Sequence, residues 1–596
     1  MNYTNDLHQQ FAEFFTDERI KPYAYLVYKQ LQDGNICINV NDPERLASEI
    51  PYPKIISPST LASLSSYVSD GENTILPFVL HKEQVYLQRY FTYETTILRG
   101  IGRLIAPESS QRNDRLASLQ KIVPFVEGLM ATSSNAGIPL DEQIDWQMVA
   151  AIQSVLHNFS IITGGPGTGK TTTVAKVLSI LFTLNPTVTV ALAAPTGKAA
   201  MRMAESLKST SLSVPTEIKE WLKNLSPNTI HRLLKSIPDS IHFKHNASNP
   251  LPYDVLIIDE ASMIDVAMFA KLLDAVGSHT RVILLGDKNQ LASVEAGSLF
   301  GDLCKALQKN NELSSSAADF INQFIKDQDR KITRDYIGTS HHPLAGHVIE
   351  LKRSHRFNSS SGIGKLSHAI INNDEKVLAE VIANKGGDSI ELDLDSDDAI
   401  FNSFVDGYKE YILETDISKA LEKFNKLRVL CAVREGADGL YSINKMIENY
   451  LSKHGLINNK LDFYENRPII ITRNYKELKL FNGDIGIVRK DSNGNLRAFF
   501  EDSDKNIRAI MPVYISDAET VFAMTIHKSQ GSEYNKVMVV LPKKSSGLLL
   551  TRELLYTAIT RAKEHVIIRA TGDILIETSK ATVSRTSGIN NRFDEI

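Results

Sequence analysis

The sequence predicts an α/β protein: two parallel-sheet domains in tandem, a small β-barrel inserted in the second, and a small α/β module ahead of the first. Three observations predict it. Between about residues 145 and 355, short apolar strands (FSIITG, VTVALAAPT, DVLIIDE, RVILLGD) alternate with helical segments, and each strand runs into polar residues at its carboxyl end. A second alternating block begins near Leu351 and holds RVLCAV, VMVVLP and HVIIRAT. Within it, from about Phe463 to Ala518, four strand-like runs (PIIITRN, GDIGIV, LRAFFED, IRAIMPV) are broken by the turn signals NGD and SNGN. Strand–helix alternation argues for parallel sheets, whose ligands bind beyond the strands' carboxyl ends. Closely spaced strands with tight turns argue for a small antiparallel barrel.

Residues 1–125 open with helical periodicity (Leu7, Phe11, Phe14, Phe15) that returns near Leu61 to Tyr67. The stretch LPFVLHKEQVYLQRYFTYETTILRGI, Leu76 to Ile101, reads as strand, turn at His81-Lys82, strand and helix. Nothing in it suggests catalysis. The first parallel-sheet domain is expected over 126–355, with a short hairpin near 238–250 and a polar insertion, carrying a helix, from about Leu307 to Pro343. The second is expected over 356–596, interrupted by the barrel at about 463–518. No repeat of fixed period and no low-complexity tract is seen.

A chain of 596 residues has room for roughly three or four domains. Its 42% hydrophobic and 23% charged content is that of an ordinary globular protein. The net charge of −4 excludes a global cationic field, so nucleic-acid binding must rest on local patches. Cys37, Cys304 and Cys431 are far apart and form no CxxC or Cys/His cluster, which argues against a structural zinc and fits a reducing cytosol. No signal-peptide pattern and no apolar run of membrane-spanning length occurs, so a soluble cytoplasmic chain without membrane partners is expected.

GGPGTGKT (Gly164, Gly165, Pro166, Gly167, Thr168, Gly169, Lys170, Thr171) follows the strand FSIIT and precedes the amphipathic helix that starts at Thr172. In that setting, backbone N–H groups close around phosphate oxygens and the helix N-terminus adds favourable charge. Lys170 is placed for the β- and γ-phosphates, and the Thr171 hydroxyl for Mg2+. DVLIIDEAS ends a strand in Asp259, suited to the metal, and Glu260, suited to orienting the attacking water. These elements establish a nucleotide triphosphatase and do not say what hydrolysis drives. Gln290, just past RVILLGD, is placed to sense the γ-phosphate or the attacking water. Arg356 in LKRSHRF and Arg561 in LLYTAITRAKEHV lie far along the chain, as arginines neutralising transition-state charge across a cleft would. Together they suggest two domains sharing one ATP.

Taken together, these motifs resemble a superfamily one helicase, in the family's order across most of residues 143–565. The resemblance implies two RecA-like P-loop motor domains and an SH3-like inserted barrel. It implies that Gln147 in IDWQMVAAI reads adenine, and that APTGKAAMRM and NTIHRLL touch DNA through Thr196, Lys198, Thr229, His231 and Arg232. Read singly, each of these is as well explained by a helix cap or a solvated charge; Thr229 could simply start a helix. TIHKSQGSEY resembles the coupling motif of the second motor: Thr525 and His527 toward DNA, Gly531 and Glu533 toward the nucleotide's sugar and phosphates, with Lys528 and Gln530 open to either role. TIHRLL with NPLPYDVLIIDEASM, LFNGDIGIV and AMTIHKSQGSEY further resemble the RecD branch, and LPFVLHKEQVYLQRYFTYE its N-terminal module. That branch implies a 5′→3′ single-strand DNA translocase, using ATP and Mg2+, that acts at duplex ends in break repair and recombination. It also implies a heterotrimer with RecB-like and RecC-like subunits, joined through residues 1–125. A free-standing RecD-like or RNA-directed helicase is the alternative. A scaffold with a dead motor would not retain the whole catalytic set, and a generic phosphate-loop ATPase would lack the second block and its arginine.

Overall fold

The computed structural model describes residues 6–41, 51–52, 58–71, 74–130, 138–293, 295–357, 362–475, 477–502, 505–544, 549–583 and 585–596. Near the amino terminus, β1 (Cys37–Asn39), β2 (Val68–Ser69), β3 (Phe78–His81) and β4 (Gln84–Leu87) form a sheet of order β1-β4-β3-β2. The β3–β4 turn falls on Lys82 and Glu83, one residue later than the sequence suggests, and both have positive φ (45° and 66°). Positive φ at both central residues matches the twist of a two-residue hairpin loop.

The helix that follows, Gln88–Ile105, leaves this sheet and packs on the next domain. Its apolar stripe (Ile97, Leu98, Ile101, Leu104) shares one core with Phe159, Leu256, Phe269 and Leu284. The Arg103 guanidinium donates to the carbonyls of Leu273 and Val276, both at 2.8 Å.

The first parallel sheet contains β5 (Phe159–Gly164), β6 (Val190–Ala194), β7 (Asn228–Thr229), β8 (Val255–Ile258), β9 (Arg281–Gly286) and β10 (Val348–Leu351) in the order β10-β5-β9-β8-β6-β7. Every pairing is parallel. β5 and β8 are buried along their whole length, as strands covered on both faces must be. The polar stretch from Leu307 to Pro343 is no surface loop. Its helix, Ser315–Asn322, together with Phe324, Ile325 and Tyr336, completes the core beside Trp146, whose ring meets Tyr336 edge-on at 4.7 Å. The hairpin expected near 238–250 is instead a turn-rich loop with two isolated antiparallel bridges, Ser236–Phe243 and Asn246–Asn249. The Asn246 side chain accepts from Ser248 N at 3.0 Å and Oγ at 2.6 Å, a local turn that competes with a ladder.

The base of β5 is clamped by a buried cluster. Glu108 accepts from His157 Nδ1 (2.6 Å) and from the backbone N–H groups of Asn158 and Phe159, while His347 Nδ1 donates to the Phe159 carbonyl (2.8 Å). The three side chains have metal-ligating chemistry and lie close together. However, the carboxylate is already hydrogen-bonded, and Arg112, Arg115 and Arg281 bias the cluster against a further cation. Burial, then those arginines, pushes His157 down to about 3; burial, then His157, pushes His347 down to about 4. Neutral imidazoles in the fold and ordinary ones in the unfolded chain give stability that is present above pH 6.5 and lost as pH falls toward 4. Glu108, raised by burial, works in the opposite sense. The contribution of the two histidines to stability is therefore expected to fall between pH 7 and pH 5. In denaturant titrations at both pH values, His347→Gln should show a smaller difference than the parent.

The second sheet contains β11 (Gly386–Gly387), β12 (Ile390–Asp393), β13 (Leu427–Cys431) and three strands from beyond the insertion. The insertion supplies β14 (Pro468–Ile471), β15 (Ile485–Lys490), β16 (Leu496–Glu501), β17 (Ile507–Ile510) and β18 (Ala518–Thr520), an antiparallel sheet of order β17-β16-β15-β14-β18. It has its own small core of Ile469, Ile471, Val488, Ala498 and Phe500. Then β19 (Ala523–Thr525), β20 (Tyr534–Val540) and β21 (Ala562–Arg569) complete the order β11-β12-β21-β20-β13-β19.

After β21 the chain returns to the amino-terminal module. Ile36 N donates to Thr586 O (3.0 Å), Gly588 N to Glu94 Oε1 (2.8 Å), and Arg592 Nη1 lies 3.4 Å from Glu94 Oε2 with its guanidinium 4.1 Å from the Phe91 ring. Glu94 is 0% exposed and Arg592 2%. The expected second domain, 356–596, therefore does not keep its last dozen residues to itself. Among the described residues no helix is long and apolar enough to cross a membrane.

Candidate active site

The carboxyl end of the first sheet and the amino ends of β20 and β21 in the second face one cleft of about 620 Å³. Its floor is the loop between β5 and the helix Lys170–Leu184. Gly167 and Gly169 have φ of 78° and 84°, and the chain needs glycine there twice over. A Cβ on Gly167 would lie 2.4 Å from Arg356 Cβ, and one on Gly169 2.2 Å from Gln147 Nε2. The Lys170 ammonium donates to the carbonyls of Gly164 (2.6 Å) and Gly165 (3.2 Å). Thr171, Thr172, Pro166 and Thr168 line the same cleft. Gln147 stands on the helix Trp146–Leu156, which Asp145 caps through Met148 N, and it donates to Thr168 O at 3.1 Å. Beyond Gln147, Ile144, Trp146, Lys352 and His355 enclose a smaller hollow.

Asp259 and Glu260 end β8 on one wall. Burial, then the Glu260 carboxylate, raises Asp259 to about 6 against the pull of Lys170. Glu260 has a left-handed backbone (φ 51°), a conformation costly for a non-glycine residue and typical of functional sites. Thr171 hydroxyl and Asp259 carboxylate are hard oxygen donors that suit a magnesium ion, and a cation would offset the cost of keeping Asp259 ionised.

The opposite wall belongs to the second domain; Arg356, expected there, instead follows β10 and packs on the phosphate loop, where His355 N donates to Gly167 O at 2.8 Å. Arg561, 3% exposed, donates from Nη2 to Gln290 Oε1 (2.8 Å), from Nε to Thr557 O (3.1 Å) and from Nη1 to Ser532 O (3.3 Å). Gln290 Nε2 donates to Asp287 Oδ2, which also accepts from Tyr556 OH, both at 3.0 Å. The next residue is held too: Leu291 N donates to Thr557 Oγ1 (3.0 Å), and Gln530 Nε2 donates to Leu291 O (2.9 Å). Arg356 Nη2 donates to Glu533 Oε1 at 2.7 Å, and Arg202 Nη2 pairs with Glu533 Oε2 at 2.8 Å. Burial alone would raise Glu533; Arg202 and Arg356 outweigh it and hold the carboxyl at about 2.

Thus Gln147, Lys170, Thr171, Asp259, Glu260, Gln290, Arg356, Gly531, Glu533 and Arg561, predicted from separate stretches, line one cleft. The residues predicted to touch DNA lie elsewhere. Thr196 and Thr229 cap short helices, accepting from Ala199 N (3.2 Å) and Arg232 N (3.3 Å). Lys198, His231 and Arg232 are exposed. Arg232 stacks 4.6 Å from the ring of Phe481, on the inserted sheet. Thr525 Oγ1 accepts from Lys528 N (3.3 Å). His527 is half-buried, and burial and then Arg585 keep it below the ordinary imidazole range. Sequence reading missed Arg202, Asp287, Tyr556 and Thr557, though all four sit in motifs it quoted. Arg202 stands one helical turn after Lys198, a spacing that marks one face of a helix.

Comparison with known proteins bears on this geometry. Residues 147–296 match a family model described as an AAA domain, and residues 520–568 one described as a UvrD-like helicase C-terminal domain. The RecBCD enzyme subunit RecD of Mycolicibacterium smegmatis is 32% identical, over 97% of this chain and 94% of that protein. The chain belongs to the RecD family of helicases. The RecD subunit of Haemophilus influenzae is 34% identical over 76% of this chain and 73% of its own length. The ATP-dependent RecD2 DNA helicase of Deinococcus radiodurans is 28% identical over 78% of this chain but only 55% of itself. Among solved structures, Bacteroides Pif1 bound to ssDNA covers 72% of this chain and 93% of its own, with a TM-score of 0.36 and 17% identity, too distant to argue from.

Proposed function

We propose that this chain is the 5′→3′ translocating subunit of a RecBCD-type helicase–nuclease, acting with RecB-like and RecC-like partners on duplex ends in break repair and recombination. It is an ATP-dependent DNA helicase of the RecD type. The observation that carries the reading is the double bridge across the cleft: Gln290 to Arg561 and Arg356 to Glu533. A nucleotide in that cleft touches both RecA-like motor domains, so its hydrolysis changes how they are held together.

The roles follow from position. The loop N–H groups and Lys170 hold the phosphates, Glu260 orients the attacking water, and Arg356 and Arg561 neutralise charge on the transferring group. Bound at Thr171 and Asp259, Mg2+ would neutralise the β- and γ-phosphate oxygens. Gln147, beside the smaller hollow, suits an adenine edge. Thr196, Lys198, Thr229, His231 and Arg232 on the first motor, and Thr525 and His527 on the second, supply backbone contacts that ignore sequence. The inserted sheet serves as the SH3-like barrel of the family, with Phe481 facing the first motor across Arg232. Residues 1–125 carry the subunit-binding surface, and the reaction takes place in the cytoplasm.

Unwinding of partial duplexes tests this reading. A duplex with a 5′ single-stranded tail is expected to be opened at least about tenfold faster than one with a 3′ tail. A 3′ preference would overturn the assigned direction. A monomer after gentle purification from the native host would overturn the subunit reading and leave a free-standing helicase.

A further inference from the structure

Arg202 is a cation in the cleft to which the motor's known parts assign no task. It belongs to the helix Gly197–Lys208, whose amino end carries Thr196 and Lys198, the first motor's DNA-facing groups in the proposed function. Lys198 and Arg202 are four residues apart, so they share a helix face and stand about 6 Å apart along the axis. Lys198 is exposed, whereas Arg202 turns into the cleft.

There it crosses to the second motor. Nη1 donates to the Gly531 carbonyl at 2.7 Å, and Nη2 meets Glu533 Oε2 at 2.8 Å. Gly531 has φ of 70°, and it holds this carbonyl in the turn that follows Thr525 and His527. Glu533 is shared: Oε2 takes Arg202, and Oε1 takes Arg356. Arg356 Nη1 has no hydrogen-bond partner among the described residues, so Glu533 is the group that fixes this arginine. Two elements that face DNA at one end therefore meet, at the other, on a single carboxylate that holds a phosphate-facing arginine.

We propose that Arg202 is a positioning residue that transmits DNA engagement to ATP hydrolysis through Glu533; this rests on the reading of the chain as an ATP-driven DNA translocase given above. Strand binding at Thr196 and Lys198 shifts the helix, Arg202 moves with it, and Glu533 yields or retains Arg356 accordingly. Arg202 need touch neither the DNA nor the phosphates. Arginine is suited to this because its rigid fork serves a carbonyl and a carboxylate at once, which the single ammonium of lysine does less well.

The test measures ATP turnover of the full chain with and without oligo-dT, and oligo-dT affinity by fluorescence anisotropy. In Arg202→Ala, the ratio of stimulated to basal kcat is expected to fall about tenfold, within the usual range of coupling between sites. Oligo-dT Kd should stay within about twofold and ATP KM within about threefold. Arg202→Lys should recover part of the ratio, and adding Glu533→Gln to Arg202→Ala should lower it no further. An unchanged ratio overturns the proposal. So does a Kd that rises in step with the loss, which would make Arg202 a DNA contact, or a raised KM with kcat intact, which would make it a nucleotide ligand. If the parent chain itself shows no stimulation by oligo-dT, the reading as a DNA motor fails instead.

Discussion

Lys170→Gln is expected to lower ATP turnover about a thousandfold or more and to abolish unwinding. Its ammonium spans the carbonyls of Gly164 and Gly165 and is the positive charge that opposes the raised pKa of both Asp259 and Asp287. Glutamine can replace a hydrogen bond to a carbonyl but not that charge. Loss of one preorganised donor typically costs 10²–10³ in rate, and a phosphate-facing lysine supplies full charge besides. Phosphate release in the presence of oligo-dT measures the loss. The variant should still bind oligo-dT, because the residues proposed to face DNA lie outside the cleft. Normal unwinding by Lys170→Gln would refute this loop as the phosphate site.

Arg561→Ala should give the second largest effect, a fall in kcat of about 10³–10⁵ with a much smaller change in ATP affinity. The side chain is buried and already aimed, bonded to Gln290 Oε1 and to two backbone carbonyls of its own domain. Those carbonyls and Gln290 lose their donor in the variant, so some stability is lost, about 1–3 kcal/mol. A thermal melt separates that cost from the catalytic one. Arg561→Lys keeps charge but cannot make the three bonds together, and should recover little. If kcat is retained while KM rises, Arg561 binds ground-state nucleotide and does not act as the charge-neutralising finger.

The site was legible because its residues are tied to strand ends. Lys170, Asp259 and Gln290 each follow a strongly apolar strand, and a parallel sheet delivers such carboxyl ends to one side; Arg561 instead precedes β21, at the amino end of the second sheet. Arg202 is not legible as a site residue because it lies in a helix interior, where nothing in the sequence distinguishes a cleft-facing arginine from a solvated one. The 307–343 stretch misled through composition. Its abundant Ser, Asn, Asp and Lys concealed Ala317, Phe320, Ile321 and Phe324, whose spacing marks a core-facing helix. The loop at 238–250 lost its hairpin to a side chain, Asn246, that bonds locally. The return of residues 585–596 to the amino-terminal module was not legible at all. It depends on Arg592 finding Glu94, a pairing that no local pattern announces.

That pairing sets a schedule for biosynthesis. Glu94 is made 494 residues before Gly588, whose N–H bonds its carboxylate. At about 5–20 residues per second, the ribosome takes roughly 25–100 s to cover that distance. Throughout that interval the carboxyl has neither Gly588 nor Arg592 beside it, and burying it as an anion would be costly. The amino-terminal module is therefore made long before it can be finished. A nascent chain stalled anywhere in the second motor would present that module without its carboxyl-terminal partners.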